Sequence, residues 1–160
     1  MTKKIYCDSD FNPGAELALE QLPDGQPMAI INLLLFKEWA EYPPGTVEEK
    51  LSGQKAYERY SELSIPFVNE VGGVPMRRGM VGANLIGPED EQWDEVLIMQ
   101  YPSRSAFQRM IANSAYQKIV YHRTAAVRDS RLYAATSPES IGPMKWKIFN
   151  LSRKLRGTPS

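Results

Sequence analysis

Four predicted strands, two of them strongly apolar, are interspersed along the chain with segments of helical period, and this order predicts an α+β fold. The runs at 27–36 and 93–101 are nearly continuous in apolar residues, which is typical of strands buried on both faces. The complete set of predicted strands is 27–36, 75–86, 93–101 and 128–135. With one helical segment after the first strand and a second after the third, the order is β-α-β-β-α-β. This order predicts a ferredoxin-like fold with a four-stranded antiparallel sheet.

The helical segments are recognised by their period and their boundary residues. A stripe of apolar residues at helical spacing predicts a long helix over 52–71, which Gly72-Gly73 ends. Pro66 lies inside it and predicts a kink or a split. Ser103 is the expected N-cap of the next helix, and Asn113-Ser114 separates that helix from a further one that runs toward residue 127.

The chain divides into three predicted parts. Residues 1–26 form an N-terminal extension with a short helix at 13–22, residues 27–136 form the main domain, and residues 137–160 form a basic amphipathic tail. Asn12-Pro13 is a typical helix start, with Asn as N-cap and Pro in the first turn. The polar loop at 37–50 is long for a compact domain, which indicates an accessory element or a lid.

Charge is balanced overall but unevenly distributed. The 160 residues carry 19 Lys and Arg against 19 Asp and Glu, so the whole molecule gives no argument for nucleic acid. Beyond Glu139 there are five basic residues and no acidic one, so the preceding residues carry a formal net charge of −5. The tail suits an interfacial helix on an anionic membrane, but we favour a docked or disordered tail because one short basic helix binds membranes weakly.

The residue inventory excludes several classes of site. A single cysteine, Cys7, rules out an internal disulfide framework and a cysteine-rich zinc site, and with His122 as the single histidine we expect no metal. Dinucleotide, P-loop and GxSxG motifs are absent, so we expect no cofactor. The N-terminus lacks the apolar run of a secretory signal, and we expect a cytoplasmic protein.

A resemblance to a known family rests on five segments: MAIINLLLFK, GQKAYERY, NEVGG, IGPEDEQWDEVLIMQYPSRSAFQRM and SAYQKIVYHRTAAVRDSRL. Over roughly residues 27–135 the chain resembles the DUF1330 family of the dimeric α/β-barrel superfamily. The resemblance implies a homodimer in which two four-stranded sheets pack face to face. Physical reasoning agrees, because a sheet with helices on one face has a second apolar face to cover.

His122 is the candidate for proton transfer, since imidazole titrates near neutral pH. The alternative, which we favour, is a helix-surface histidine or one hydrogen-bonded for packing. Arg123 is a candidate anion anchor, as is Arg128, through a bidentate contact with a carboxylate. An ion pair of either arginine with Asp129 is the simpler alternative, and it is favoured because these residues are close in sequence.

The remaining candidates are polar groups in apolar surroundings. Asn32 interrupts an apolar strand and must find hydrogen bonds if it is buried, either with a ligand or with neighbouring backbone. Tyr60 and Tyr116 offer phenol groups to a pocket, although core packing is their ordinary role. Arg78 shares a strand face with two methionines and is expected to point into the same space.

Two functions follow from these residues. The first is a homodimer whose pocket binds a small organic molecule, with a cofactor-independent oxygenase or isomerase activity in its enzymatic form. The resemblance supplies this reaction class, because the superfamily includes such enzymes, and fold alone does not choose among its functions. The second is a non-catalytic binding or interaction protein that uses the barrel only for dimerisation.

Overall fold

The computed structural model describes residues 12–46 and 49–136. The predictions for residues 1–11 and for the basic tail at 137–160 lie outside this part of the chain. The helices are α1 (Ala15–Glu20), α2 (Gly53–Glu70), α3 (Arg104–Ala112), α4 (Ser114–Gln117) and α5 (Val120–Ala126). The strands are β1 (Met28–Phe36), β2 (Val74–Met80), β3 (Glu95–Tyr101) and β4 (Val127–Thr136).

The strands form one antiparallel sheet in the order β2-β3-β1-β4. This is the order of the ferredoxin-like α+β fold, so the predicted fold class is confirmed. The two long apolar strands, β1 and β3, lie at the centre, where both faces of a strand are available for burial. The sheet is not closed within one chain.

Burial alternates along β1 and separates the two faces of the sheet. Met28, Ile30, Asn32 and Leu34 are buried, and the residues between them are half-buried. The side of the sheet that carries these four buried residues packs under the helices, and we call it the covered face. The open face is the other side, whose central residues are Ile31, Leu33, Leu35, Val96 and Ile98, all half-buried.

α2 begins where its sequence predicts. The Ser52 hydroxyl accepts a hydrogen bond from the Lys55 amide at 3.3 Å, as an N-cap does. The next residue, Gly53, has no room for a side chain, since a Cβ there would lie 2.3 Å from the Lys37 carbonyl oxygen. The helix continues through Pro66 without splitting. A proline removes one helical hydrogen bond, and the other turns of an 18-residue helix remain.

Two predicted boundaries are wrong. The strand predicted over 75–86 ends at Met80, because the chain turns away after the Val81 amide donates to the Asp94 carbonyl. Beyond it the Asn84 amide bonds to the Pro88 carbonyl at 2.8 Å and fixes a turn, while Ile86 is 99% exposed. The helix predicted over 114–127 is two helices, α4 and α5, separated at Lys118 and Ile119.

The described part of the N-terminal extension packs against the main domain. The Arg104 guanidinium donates to the Glu20 carbonyl at 2.6 Å, and the Asp24 carboxylate accepts from the Ser105 amide at 3.1 Å. The amide of Ser105 and the charge of Arg104 lower the pKa of Asp24. Leu19 and Leu22 contact the core cluster. Through these contacts α1 and the turn after it are attached to the start of α3.

Candidate functional site

A cavity of about 1070 Å³ lies between the covered face of the sheet and the helices. Most of its wall is apolar or aromatic, contributed by strand residues such as Leu97 and Met99 and by helix residues such as Val68 and Met110. This volume is at the upper end for small-molecule sites, which are typically apolar with a few polar groups.

No helix in the described ranges is long and apolar enough to cross a membrane.

The structure brings five predicted site residues to the wall of this one cavity. Asn32 comes from β1, Tyr60 from α2, Arg78 from β2, Tyr116 from α4 and Arg123 from α5. Five different elements therefore converge on the space that the sequence indicated. The role of these residues in binding a ligand stays a prediction.

Asn32 lies on the floor of the cavity. Its cross-strand neighbours are Leu97 and Leu132, so it is surrounded by apolar side chains in the sheet. Asn32 is 7% exposed, and no described residue makes a hydrogen bond to its side-chain amide. A buried amide without a partner is costly, and it is expected only where water or a ligand supplies the hydrogen bonds.

Tyr60 and Tyr116 form a phenol pair in the wall. Their hydroxyl oxygens lie 2.5 Å apart, so one hydroxyl donates to the other. Burial raises the pKa of Tyr60 well above its ordinary value and also raises the pKa of Tyr116. Both phenols are therefore protonated at neutral pH. The hydroxyl that accepts within the pair keeps its own proton for donation to another group.

Tyr57 packs beside this pair, with its ring centroid 5.5 Å from that of Tyr60. Burial raises the pKa of Tyr57 to about 12, and the positive charge of Arg123 opposes that rise. The same positive charge opposes the rise in the pKa of both members of the phenol pair. The guanidinium is therefore close enough to all three phenols to influence their ionisation.

Arg78 and Glu95 form a bidentate ion pair. The arginine Nε donates to Oε1 at 2.8 Å and one terminal nitrogen donates to Oε2 at 2.9 Å. The Glu95 side chain is fully buried, whereas that of Arg78 is 48% exposed. The hydrogen bonds that Arg78 donates to Glu95 raise the pKa of Arg78. The positive charge of Arg78 is thus neutralised within the protein.

Sequence reasoning missed Glu95, although a signal was present. Glu95 begins the apolar run of β3 and shares the covered face with Leu97, Met99 and Tyr101. A carboxylate at that phase of a buried strand requires a cation or several donors. The partner could not be identified, because Arg78 is 17 positions away and is brought opposite by strand register.

Arg123 differs from Arg78 in its surroundings. One terminal nitrogen of Arg123 donates to the Ser130 hydroxyl at 3.2 Å, and no described carboxylate lies within 4.0 Å of its guanidinium. The prediction that Arg123 forms an ion pair with Asp129 is therefore wrong. Asp129 instead accepts from Arg131 at 2.7 Å and from the Ser130 amide at 2.8 Å. Its carboxylate is thus occupied by neighbours in β4.

His122 is buried, with 3% exposure, but it is absent from the described cavity wall. Its Nδ1 lies 2.9 Å from the Tyr42 hydroxyl, and its ring stacks on that of Tyr121 at 4.1 Å between centroids. Successive helix residues differ by about 100° in direction, so Arg123 and its neighbour His122 face different surroundings. Proton transfer by His122 stays a prediction.

Tyr42 belongs to the polar loop that was predicted to be an accessory or a lid. The described part of this loop is held to the end of α5, since the amides of Lys37 and Glu41 donate to the carbonyls of Ala126 and Ala125 at 2.9 and 3.0 Å. These bonds satisfy carbonyls that a helix end leaves without partners.

In the described residues, no group of His, Cys, Asp and Glu is arranged to hold a metal ion.

Solved structures similar to this chain include two of RPA0582, a protein of unknown function from Rhodopseudomonas palustris. The methylated form is 35% identical, with 88% of this chain and 98% of that chain covered and a TM-score of 0.73. The other is 34% identical, with 81% and 96% covered and a TM-score of 0.72. SnoaB, a cofactor-independent oxygenase from Streptomyces nogalater, is 14% identical, with 72% of this chain and 97% of that chain covered and a TM-score of 0.46.

Among proteins with curated annotation, none matches the sequence. The model of one family, described as a domain of unknown function, matches residues 46–135. The match covers more than half of the chain and most of the sheet and helices that surround the cavity. The chain therefore belongs to the DUF1330 family.

Proposed function

We propose that the protein is a homodimer that binds a small, largely apolar organic molecule in the cavity between helices and sheet. The observation that carries the proposal is the cavity itself, with a volume of about 1070 Å³ and an apolar wall interrupted by a few polar side chains. Such a wall gives affinity through burial of apolar surface and orientation through the polar groups. In this proposal Asn32, Tyr60, Arg78, Tyr116 and Arg123 contact the ligand.

The enzymatic form of the proposal is an oxygenase or isomerase that works without a cofactor. His122 is then the proton-transfer residue, and the ligand must reach the Tyr42–His122 pair. A compound found to bind would be tested for conversion with and without oxygen. Loss of conversion in His122→Asn, with binding retained, is the expected result. Equal conversion by this variant would remove His122 from the reaction.

A thermal-shift screen of small organic molecules on the full chain tests ligand binding. A compound that binds the native state raises the melting temperature in proportion to the logarithm of its concentration over Kd. Leu97→Trp is the matched variant, since a larger side chain beside Asn32 narrows the floor of the cavity and should reduce the shifts. Shifts that are unchanged in Leu97→Trp, or a diverse screen without any shift, would contradict the proposal.

The homodimer part of the proposal is supported by the open face of the sheet. Its central side chains are apolar and only half-buried in one chain, and a partner would bury them further. A second copy related by two-fold symmetry presents the same apolar patch and is the simplest partner. Light scattering should give the mass of two chains, and a monomer at micromolar concentration would contradict this part.

A non-catalytic interaction protein is the second candidate, and the same open face favours it. In that case the sheet serves only for association, and the cavity holds water. A dimer that shows no thermal shift with any compound would support this candidate over the first. A cytoplasmic location is part of either proposal, because a single cysteine suits a reducing compartment.

A further inference from the structure

Three arginines line the cavity and differ in charge compensation, and one of them, Arg131, is paired with Asp129 at 2.7 Å. Arg78 is neutralised by Glu95 through two hydrogen bonds of 2.8 and 2.9 Å. Arg123 donates to an uncharged hydroxyl at 3.2 Å and, within the described ranges, has no carboxylate partner. An uncompensated guanidinium beside an apolar cavity attracts an anion more strongly than one in water does. The positive charge of this cavity is therefore concentrated at Arg123.

A second and independent observation points to the same place. Asn32 is more than nine-tenths buried, lines the cavity, and has no hydrogen-bond partner for its side-chain amide among the residues described. The amide has two donor hydrogens and one acceptor oxygen to satisfy. These groups are available to a molecule in the cavity.

The register of β1 and β4 brings the two groups together. Leu34 pairs with Ser130, the residue that the Arg123 guanidinium contacts, and Asn32 lies two positions from Leu34 on the same face of β1. Two residues along a strand span roughly 6.6 Å. Asn32 and the Ser130 contact of Arg123 therefore lie on neighbouring strands of the covered face, within reach of one ligand in the cavity.

The phenol pair adds a third component. One of the two hydroxyls, on Tyr60 or Tyr116, accepts from the other and keeps a proton to donate. Tyr60, Tyr116 and Arg123 line the same cavity, so this donor is available to the same ligand. Guanidinium, amide and phenol are all donors, and together they suit anionic oxygens.

We propose that Arg123, Asn32 and the Tyr60–Tyr116 pair form a head-group site for an organic carboxylate whose apolar body occupies the rest of the cavity. The carboxylate accepts from the Arg123 guanidinium, and Asn32 and the free phenol proton bind its remaining lone pairs or an adjacent oxygen. Arg78 takes no part in charge recognition, since Glu95 already neutralises it. This inference rests on the proposed ligand-binding function and names the class of its ligand.

The test compares two probes of the same shape, 2-naphthoate and the uncharged 2-naphthamide, by calorimetry on the full chain at low salt. A charge-assisted contact predicts that 2-naphthoate binds about tenfold to hundredfold more tightly than the amide. Arg123→Met should abolish this preference and leave the affinity for the amide within about threefold, as expected for loss of the charged contact alone. Arg128→Met, a surface change of the same kind outside the cavity wall, should leave the preference intact.

Two further variants keep the result interpretable. Arg123→Lys retains the charge and loses the planar fork, so it should keep part of the preference. It also serves as the test of Arg123 if Arg123→Met does not fold. Leu97→Trp should weaken both probes, which establishes that they bind in the cavity.

The outcomes separate the two proposals. Equal binding of the probes to the native protein, or a preference that survives Arg123→Met, overturns the carboxylate site and leaves the ligand-binding function standing. Binding of neither probe overturns the carboxylate site, and binding that Leu97→Trp does not affect overturns both proposals. If Arg78→Lys loses the preference for 2-naphthoate while Arg123→Lys keeps it in full, Arg78 binds the carboxylate. That result also overturns the inference.

Discussion

Each face of the sheet contains an exception to the usual relation between polarity and burial. The covered face, whose other residues form the apolar core, carries the buried polar groups Asn32 and Glu95, whereas the centre of the open face carries Ile31, Leu33 and Ile98, which remain half-buried. Each exception has a physical explanation. Polar groups on the covered face are paired, as Glu95 is, or border a cavity, as Asn32 does. Apolar groups on the open face are those that a second chain would bury.

The largest expected effect is on the open face. Leu33→Asp places a charge from each chain at the centre of the proposed dimer interface, which costs on the order of 5 kcal/mol of association free energy through desolvation and repulsion. Light scattering should then report a monomer at micromolar concentration. Thr136→Asp, at the end of edge strand β4, is the control and should stay dimeric. A dimer in Leu33→Asp would show that the open face is not the interface.

On the covered face, the Arg78–Glu95 pair provides the next largest effect. Arg78→Met leaves the fully buried Glu95 carboxylate without its cation, and the free energy of unfolding should fall by about 3 kcal/mol. Urea denaturation measures the change. Arg77→Met, on the exposed neighbouring position of β2, should change the free energy of unfolding by less than about 0.5 kcal/mol. Similar losses in both variants would show that the ion pair does not stabilise the covered face.

Alkaline pH should destabilise the covered face through its buried phenols. Burial raises the pKa of Tyr57 to about 12, above its ordinary value of 10. Below pH 10 both folded and unfolded states hold the proton, so the stability is complete. Between pH 10 and 12 only the unfolded chain releases it, and Tyr57 alone should lower the free energy of unfolding by about 2.7 kcal/mol.

Urea denaturation at pH 9, 10.5 and 12 measures this decline. Tyr57→Phe has no proton to release at this position. The decline of its free energy of unfolding with pH should therefore be smaller by the contribution of this one phenol. The buried Tyr60, Tyr101 and Tyr116, whose pKa values are also raised, account for what remains. A decline of the same size in Tyr57→Phe would contradict the assignment to this residue.

The smallest effect concerns Asn32. Asn32→Leu replaces an amide that has no partner among the described residues by an apolar side chain in a mostly apolar wall, so the free energy of unfolding should rise by about 1 kcal/mol. Chemical denaturation measures the rise. Asn69→Leu, at an exposed position of the same cavity wall, should be nearly neutral. A loss of stability in Asn32→Leu would mean that the amide is satisfied in solution, by an ordered water for example.

Local patterns were sufficient for most of the fold. The apolar runs located β1 and β3 to within two residues, and Ser52 and Ser103 marked the starts of α2 and α3. Strand β2 was predicted to end six residues too far along the chain, since apolar residues continue past Met80 while the backbone turns away from the sheet. The fold was therefore predictable where period and caps agree, and less so where only hydrophobicity was available.

Residue chemistry identified the candidate site only in part. Asn32 was identified because it is polar in an apolar strand, and its phase along β1 fixed the face it occupies. His122 was selected by residue type alone, and the phase of α5 directs its ring to Tyr42 instead of the cavity. Residue type says what a side chain can do, whereas the phase of its element decides what it meets.

The sequence by itself determined the α+β order, the ferredoxin-like topology, the family and the apolar character of the two central strands, because these depend on period and on neighbours in the chain. Only the tertiary structure decided that Glu95 neutralises Arg78, that Arg123 has no carboxylate partner among the described residues, and that a cavity lies over Asn32. Those properties depend on strand register and on how closely the helices approach the sheet, which are set by contacts between residues distant in sequence.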